Sequence, residues 1–263
     1  ALIRVERGGP VARITLARPE QRNAVSTEMI EELVEALGGL AADHETRVVV
    51  LAGDGPDFCA GADFAELEVM RNGPGEFDYG RTFEELLTAI ATHPVPVIAR
   101  VHGAALGAGC QIAIACDLAV IAEDAKLGIP SARLGILINF ENIQRLVLAV
   151  GPKRAGELLF TGRAITGAQA AEWGLANVAV PEPELDAAIG KLGLTIAESA
   201  PLSVQGSKRG IGVVLEHLGV DRFTEGHRVV DFDMMAAQAF ASEDLQEGIR
   251  AFRERRKPEF EGR

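Results

Sequence analysis

The chain has 263 residues and 48% hydrophobic composition, enough for a substantial core arranged as one large domain or two small ones. Its formal net charge of −12 at pH 7 argues against nonspecific binding to nucleic acid or anionic membranes, whose phosphates repel such a surface at long range. An anionic ligand therefore needs a local basic patch, and Arg250, Arg253, Arg255, Arg256 and Lys257, with Arg18 and Arg22, form the best candidate.

No run reaches the roughly 18 apolar residues of a membrane helix, and no basic-plus-apolar leader opens the sequence, so a cytoplasmic protein without a membrane partner is expected. The three cysteines, Cys59, Cys110 and Cys116, lie in apolar or glycine-rich stretches without regular spacing, which predicts reduced structural thiols. The histidines at 44, 93, 102, 217 and 227 are scattered, with no HExxH or Cys/His cluster, so no metal site is expected.

Leu2–Glu6 and Val11–Ala17 flank Gly8-Gly-Pro10 and read as a hairpin. Ser26 offers an N-cap to a helix carrying Met29, Ile30, Leu33, Val34 and Leu37 at helical spacing. Val48–Leu51, Val95–Val101 and Leu118–Ile121 read as short buried strands with helical stretches between them, which predicts a layered α/β core. The glycines, proline and charges of Glu68–Gly80 predict a loop or a loosely held helix end. Tyr79, the only tyrosine, is expected there in a surface or packing role. Asp63 and Asp117 read as local backbone caps, His102 as a turn stabiliser, and His93, beside Pro94, as an exposed loop residue.

Two small-residue segments carry the strongest functional signal: Asp57-Phe-Cys-Ala-Gly-Ala-Asp63 and His102-Gly-Ala-Ala-Leu-Gly-Ala-Gly-Cys-Gln111. Each leads from an apolar strand-like stretch toward a helix. Such a turn lets backbone N–H groups approach a ligand without side-chain obstruction, and the helix N-terminus adds a positive dipole end. Together they can build an oxyanion hole.

In order along the chain stand Arg18-Pro-Glu-Gln-Arg-Asn-Ala24, Phe58-Cys-Ala-Gly-Ala-Asp63, Pro96-Val-Ile-Ala-Arg-Val-His-Gly103, Ala105-Leu-Gly-Ala-Gly-Cys110, Cys116-Asp117 and Glu247-Gly-Ile-Arg-Ala-Phe-Arg-Glu-Arg-Arg-Lys-Pro258. This set resembles the crotonase superfamily, the enoyl-CoA hydratase/isomerase proteins that bind acyl-CoA thioesters, over Val5 to Phe260. The resemblance implies a crotonase-like spiral of ββα units over 1–200 with the acyl-CoA pocket. It also implies a helical oligomerisation region over 201–263 that forms a homotrimer or dimer of trimers, in which Met234, Met235, Phe240 and Phe252 offer apolar surface. It places the oxyanion-hole N–H groups on Ala62 and Ala108. CoA contacts carry over to Arg22, Ala24, Ala60, Ala62 and Phe64, and to Phe252 and Arg255, the last two normally serving a neighbouring subunit. No cofactor beyond the CoA moiety of the substrate is implied.

The family's two hydratase glutamates correspond here to Gln111 and Ser131. Glutamine cannot act as a general base near neutral pH, and an unassisted serine has far too high a pKa. Ordinary syn hydration is therefore expected to be very slow. In Leu134-Gly-Ile-Leu-Ile-Asn-Phe-Glu-Asn-Ile-Gln-Arg-Leu146, bulk and polarity replace the family's small residues. Asn139 stands where some isomerase and dehalogenase relatives carry an acid, and Glu141 lies two positions on, a candidate substitute carboxylate or a solvated capping residue. Two functions follow from the resemblance: an enzyme that stabilises a thioester enolate, or a noncatalytic acyl-CoA binder or carrier. The orientation of Glu141, into the pocket or toward solvent, discriminates them.

Overall fold

The computed structural model describes residues 1–63, 65, 79–220, 234 and 237–261, with backbone alone over 216–220. Strands β1 (Ile3–Arg7) and β2 (Val11–Leu16) form the expected hairpin, antiparallel with Ile3 opposite Leu16 and Arg7 opposite Ala12. Parallel strands then extend the sheet: β3 (Val48–Gly53), β4 (Val97–Val101), β6 (Leu118–Ala122) and β9 (Val178–Val180). The register aligns Ile14 with Leu51, Leu51 with Ala99, and Ala99 with Ala119. Every residue of β3 and β4 is buried. That explains the unbroken apolar run of β3 and the nearly apolar β4, since parallel strands are covered on both faces, and the one charged residue of β4, Arg100, is paired with Asp186.

A second sheet is built from β5 (Ala104–Leu106), β7 (Lys126–Gly128) and β8 (Ile165–Thr166). Consecutive strands therefore alternate between sheets: β4 joins the first and β5 the second, β6 the first and β7 the second. This is an α/β fold with mixed sheets, and the crossing from β4 to β5 carries the chain to the site.

Helix α1 (Thr27–Ala41) begins at Ser26, whose Oγ accepts the Met29 N–H at 3.3 Å. It buries Met29, Ile30, Leu33, Leu37 and Leu40 and packs against α2 (Tyr79–Ala91). Residues 64 and 66–78 lie outside the described residues, so of the expected Glu68–Gly80 loop only Tyr79 and Gly80 are described, and they open α2. The chain continues through α3 (Ala108–Ala115), α4 (Phe140–Thr161), α5 (Gly167–Trp173), α6 (Leu185–Ala197), α7 (Pro201–Val220) and α8 (Glu243–Glu254). Gly151, at φ +78° and followed by Pro152, breaks α4 into two helical segments.

Two local expectations are corrected. His93 is buried at 4% exposure, its ring nitrogens 3.1 Å from the Val95 carbonyl and 3.2 Å from the Leu37 carbonyl. It bridges α1 to the entry of β4. Asp117 caps no local turn: its carboxylate accepts the Val97 N–H at 2.7 Å and pairs with Lys208 Nζ at 2.7 Å, tying β4 to α7. His102 does stabilise a turn, with Nε2 2.8 Å from the Gly55 carbonyl.

Candidate functional site

The site starts from a buried asparagine. Asn23, at φ +55°, accepts the Arg18 N–H at 2.9 Å and donates to the carbonyls of Asp54 and Asp57 at 2.9 and 2.8 Å. Three bonds at one buried amide lock Arg18–Ala24 onto the end of β3. Asp57 then reaches both ways. Its carboxylate takes Arg22 Nε at 2.6 Å and the Ala104 N–H at 2.7 Å.

From there the two small-residue segments are laced together. The Cys59 N–H donates to the Ala104 carbonyl at 2.9 Å, and the Leu106 N–H to the Cys59 carbonyl at 3.0 Å. The Val25 N–H binds the Gly61 carbonyl and the Asp63 N–H binds the Val25 carbonyl, both at 2.9 Å. Gly109 makes the approach possible, because a Cβ there would lie 2.3 Å from the Cys59 carbonyl oxygen. Among the described residues, the N–H groups of Ala62 and Ala108 donate to no protein acceptor, and both residues line one cavity. Ala108 opens α3, so its N–H is one of the orphan donors at that helix start.

The cavity is about 610 Å³, within the range of small-molecule sites. Phe83, Ile129, Leu134, Ile136, Leu137 and Ile138 give it an apolar wall. Tyr79 is buried in the wall, stacked on Phe83 at 5.9 Å, and its hydroxyl donates to the Val25 carbonyl at 3.2 Å. That is the packing role expected of it. On the described wall Arg22 is the only basic residue and Glu20 the only carboxylate, side by side with Gln21.

Polar groups gather elsewhere on the wall. Gln111 and Ser131, each 9% exposed, have no side-chain partner among the described residues. Asn139 caps α4, accepting the Asn142 N–H at 3.1 Å and donating to Glu84 at 3.1 Å. Arg145 holds Glu84 through both terminal nitrogens, at 3.1 and 2.5 Å, and donates to Asn142 Oδ1 at 2.9 Å.

The sequence matches the enoyl-CoA hydratase/isomerase family over residues 6–263. The chain belongs to that family. It is 33% identical to the 2,3-dehydroadipyl-CoA hydratase of Escherichia coli, covering 98% of each chain. It is 36% identical to the human mitochondrial enoyl-CoA hydratase domain-containing protein 2, covering 96% of this chain and 86% of that one. Among solved structures it resembles a methylmalonyl-CoA decarboxylase in complex with 2-nitronate-propionyl-CoA, with a TM-score of 0.91, 28% identity, and coverage of 100% and 99%.

Of the residues singled out from the sequence, Arg22, Ala24, Ala60, Ala62, Ala108, Gln111, Ser131, Asn139 and Phe252 come together on the cavity. Phe64 lies outside the described residues. Three positions stand apart. Glu141 is exposed in the first turn of α4 and is off the cavity wall. Phe252 lines the cavity of its own chain, together with Phe240. Arg255 is exposed as the left-handed cap of α8 at φ +55°, also off the wall.

The basic patch is largely committed internally. Arg250 and Arg256 pair with Glu247, Arg18 with Asp63, and Arg22 with Asp57. The Arg256 side chain, the Glu259 N–H and Arg250 hold the Glu247 carboxyl well below the usual carboxylate range. Asp63 also accepts the Ala65 N–H at 3.0 Å, the capping role expected of it.

Sequence reasoning missed Asn142, Glu84 and Arg145. Asn139, Asn142 and Arg145 recur at spacing three, which places them on one helix face, and that was the available signal. Glu84 lies 61 residues from Arg145 and gives no such signal.

Proposed function

We propose that this family member binds an acyl-CoA thioester with its carbonyl oxygen between the N–H groups of Ala62 and Ala108, an oxyanion hole that stabilises enolate character at the α-carbon. One observation carries the reading: two uncommitted backbone donors, from laced segments, on one apolar cavity. Negative charge develops on the thioester oxygen as the α-carbon becomes carbanion-like, and a preorganised donor contributes about 100- to 1000-fold in rate. Arg22, Ala24, Ala60 and Phe252, which line the cavity, are assigned to the CoA moiety, as are Phe64 and Arg255 by the resemblance. The family membership and the names of the hydratase relatives support the substrate class.

Proton transfer is where this chain departs from ordinary hydration. Gln111 and Ser131 occupy the positions of the family acids, so addition of water to 2-enoyl-CoA is very slow. A second reading, a noncatalytic acyl-CoA binder or carrier, is favoured by the solvent-facing Glu141 and by Asn139, whose amide is spent on Asn142 and Glu84. No cofactor beyond the CoA of the ligand is required by either reading.

Residues 201–263 are assigned to assembly as a homotrimer or dimer of trimers. Leu202, Ile211 and Met234 are exposed apolar side chains there, and Met235 lies outside the described residues. Among the described residues no helix is long and apolar enough to cross a membrane, and the protein is assigned to the cytoplasm. Light scattering of Leu202→Asp/Ile211→Asp should show a smaller species than wild type; an unchanged mass contradicts the assembly assignment.

Calorimetry with butyryl-CoA tests the site. Proline is well tolerated at the first position of a helix yet has no N–H. Folded Ala108→Pro should therefore lose most of its affinity for butyryl-CoA, and unchanged affinity contradicts the arrangement.

A further inference from the structure

Arg100 and His102 stand two positions apart at the end of β4, so their side chains leave the same face of the sheet. Both are buried. Arg100 Nε and Nη2 donate to the two carboxylate oxygens of Asp186, at 2.7 and 2.8 Å, from the first turn of α6. That planar fork aims the remaining nitrogen, Nη1, which lies 3.0 Å from His102 Nδ1. A guanidinium only donates, so Nδ1 is the acceptor and the ring carries its proton on Nε2. Nε2 in turn donates to the Gly55 carbonyl at 2.8 Å. An exposed carboxylate is thus joined, through a buried cation and an imidazole of fixed tautomer, to one backbone carbonyl.

That carbonyl belongs to the turn from which the two donor segments are held. Asn23 takes the carbonyls of Asp54 and Asp57, and His102 takes Gly55 between them. The Asp57 carboxylate accepts the Ala104 N–H at 2.7 Å, and the Phe58 N–H donates to the His102 carbonyl at 2.9 Å. Gly103 abuts the same turn, since a Cβ there would lie 1.9 Å from the Pro56 carbonyl oxygen. Close-packed backbone of this kind transmits displacement. We infer that Arg100 is a positioning residue for the donors at Ala62 and Ala108: held by Asp186, it locks His102 in the tautomer that pins Gly55 and so sets the turn from which Asp57 holds Ala104. The inference rests on the thioester placement proposed above, and neither Arg100 nor Asp186 lies on the described cavity wall. Without Arg100 the ring is free to carry its proton on Nδ1, which turns two acceptors, Nε2 and the Gly55 carbonyl, toward each other. A lysine there cannot do the same, because its single nitrogen replaces a fork that uses three.

The test reads the tautomer and the bound thioester on the full chain. Nitrogen NMR of histidine-labelled protein, with the His102 signals assigned by their loss in His102→Gln, should show a protonated Nε2 and a bare Nδ1 in wild type. Arg100→Met and Arg100→Lys should show signals averaged between the two tautomers. Butyryl-CoA labelled at its thioester carbonyl carbon should give a downfield carbonyl shift on binding wild type, and a smaller one on binding either variant. Calorimetry should show butyryl-CoA bound about three- to tenfold more weakly by the variants, the worth of roughly one hydrogen bond. Should Arg100→Met fail to fold, Arg100→Lys and Asp186→Asn, the latter at an exposed position, make the same comparison. If wild-type His102 carries its proton on Nδ1, if the variants keep the Nε2 tautomer, or if they lose it while carbonyl shift and affinity stay at wild type, the positioning role is overturned and the thioester placement stands. If butyryl-CoA does not bind wild type, or binds with its carbonyl unshifted, the placement falls and the positioning role with it.

Discussion

Asp57 accepts the backbone N–H of Ala104 at 2.7 Å, so a single carboxylate at the start of one small-residue segment holds the start of the other. Through Cys59, Leu106 and Gly109 that bond propagates to Ala62 and Ala108. Asp57→Asn keeps an acceptor for Ala104 but loses the charge facing Arg22. Asp57→Leu loses both and buries an orphan donor, at a cost of about 1–3 kcal/mol. Thermal unfolding and butyryl-CoA calorimetry should rank wild type above Asp57→Asn and Asp57→Leu last. Equal behaviour of all three would contradict this coupling.

Wild type should hydrate crotonyl-CoA far below the ordinary enzymatic range of about 1–1000 per second. Loss of a general acid or base costs about 100- to 10,000-fold per role. Gln111→Glu/Ser131→Glu should raise turnover, followed as loss of enoyl absorbance, because it restores groups able to activate water and deliver a proton. Ordinary wild-type turnover would contradict this and point to an unrecognised acid, with Glu141 the first suspect.

Acid should weaken the fold in two stages. Burial lowers the His93 pKa below its ordinary 6.5, more than the Val95 and Leu37 carbonyls raise it. The unfolded chain then binds the extra proton first, so stability falls as pH drops below about 6.5. Asp57 acts lower: burial opposes its ionisation, but Arg22 and the Ala104 N–H outweigh that and hold its pKa below 3.8. Its contribution persists above 3.8 and is lost as pH falls through its folded value. A His93→Gln variant should flatten the pH dependence of the melting temperature near pH 6 without altering the limb below pH 4. Identical profiles would contradict the role of His93.

Much of this organisation was legible because it rests on local periodicity. The hairpin, the cap at Ser26 and the buried strands follow from apolar spacing and turn residues close in sequence. The start of β4 at Val97, two residues later than expected, follows from Pro96, which lacks the N–H a ladder needs. His93 and Asp117 were misread because their partners are remote: Leu37 lies 56 residues away, and Lys208 lies 91. The donor segments could be read from glycine and alanine alone. The orientation of Asn142 could not, since it depends on an ion pair between α2 and α4.

The three thiols should resist modification in the folded protein. Burial pushes Cys59 and Cys110 up to about 12, and burial beside Asp117 raises Cys116 further. The thiolate is the reactive form. A disulfide exchange reagent at pH 7.5 should titrate no fast thiol until denaturant is added, whereupon all three react. A rapidly reacting cysteine in native protein would contradict this burial.

A crystal structure of the full chain with butyryl-CoA tests the central claim most directly. The account predicts the thioester oxygen within about 2.7–3.2 Å of both the Ala62 and Ala108 nitrogens. A thioester oxygen bound elsewhere in the cavity, with either N–H left unpaired, would contradict it.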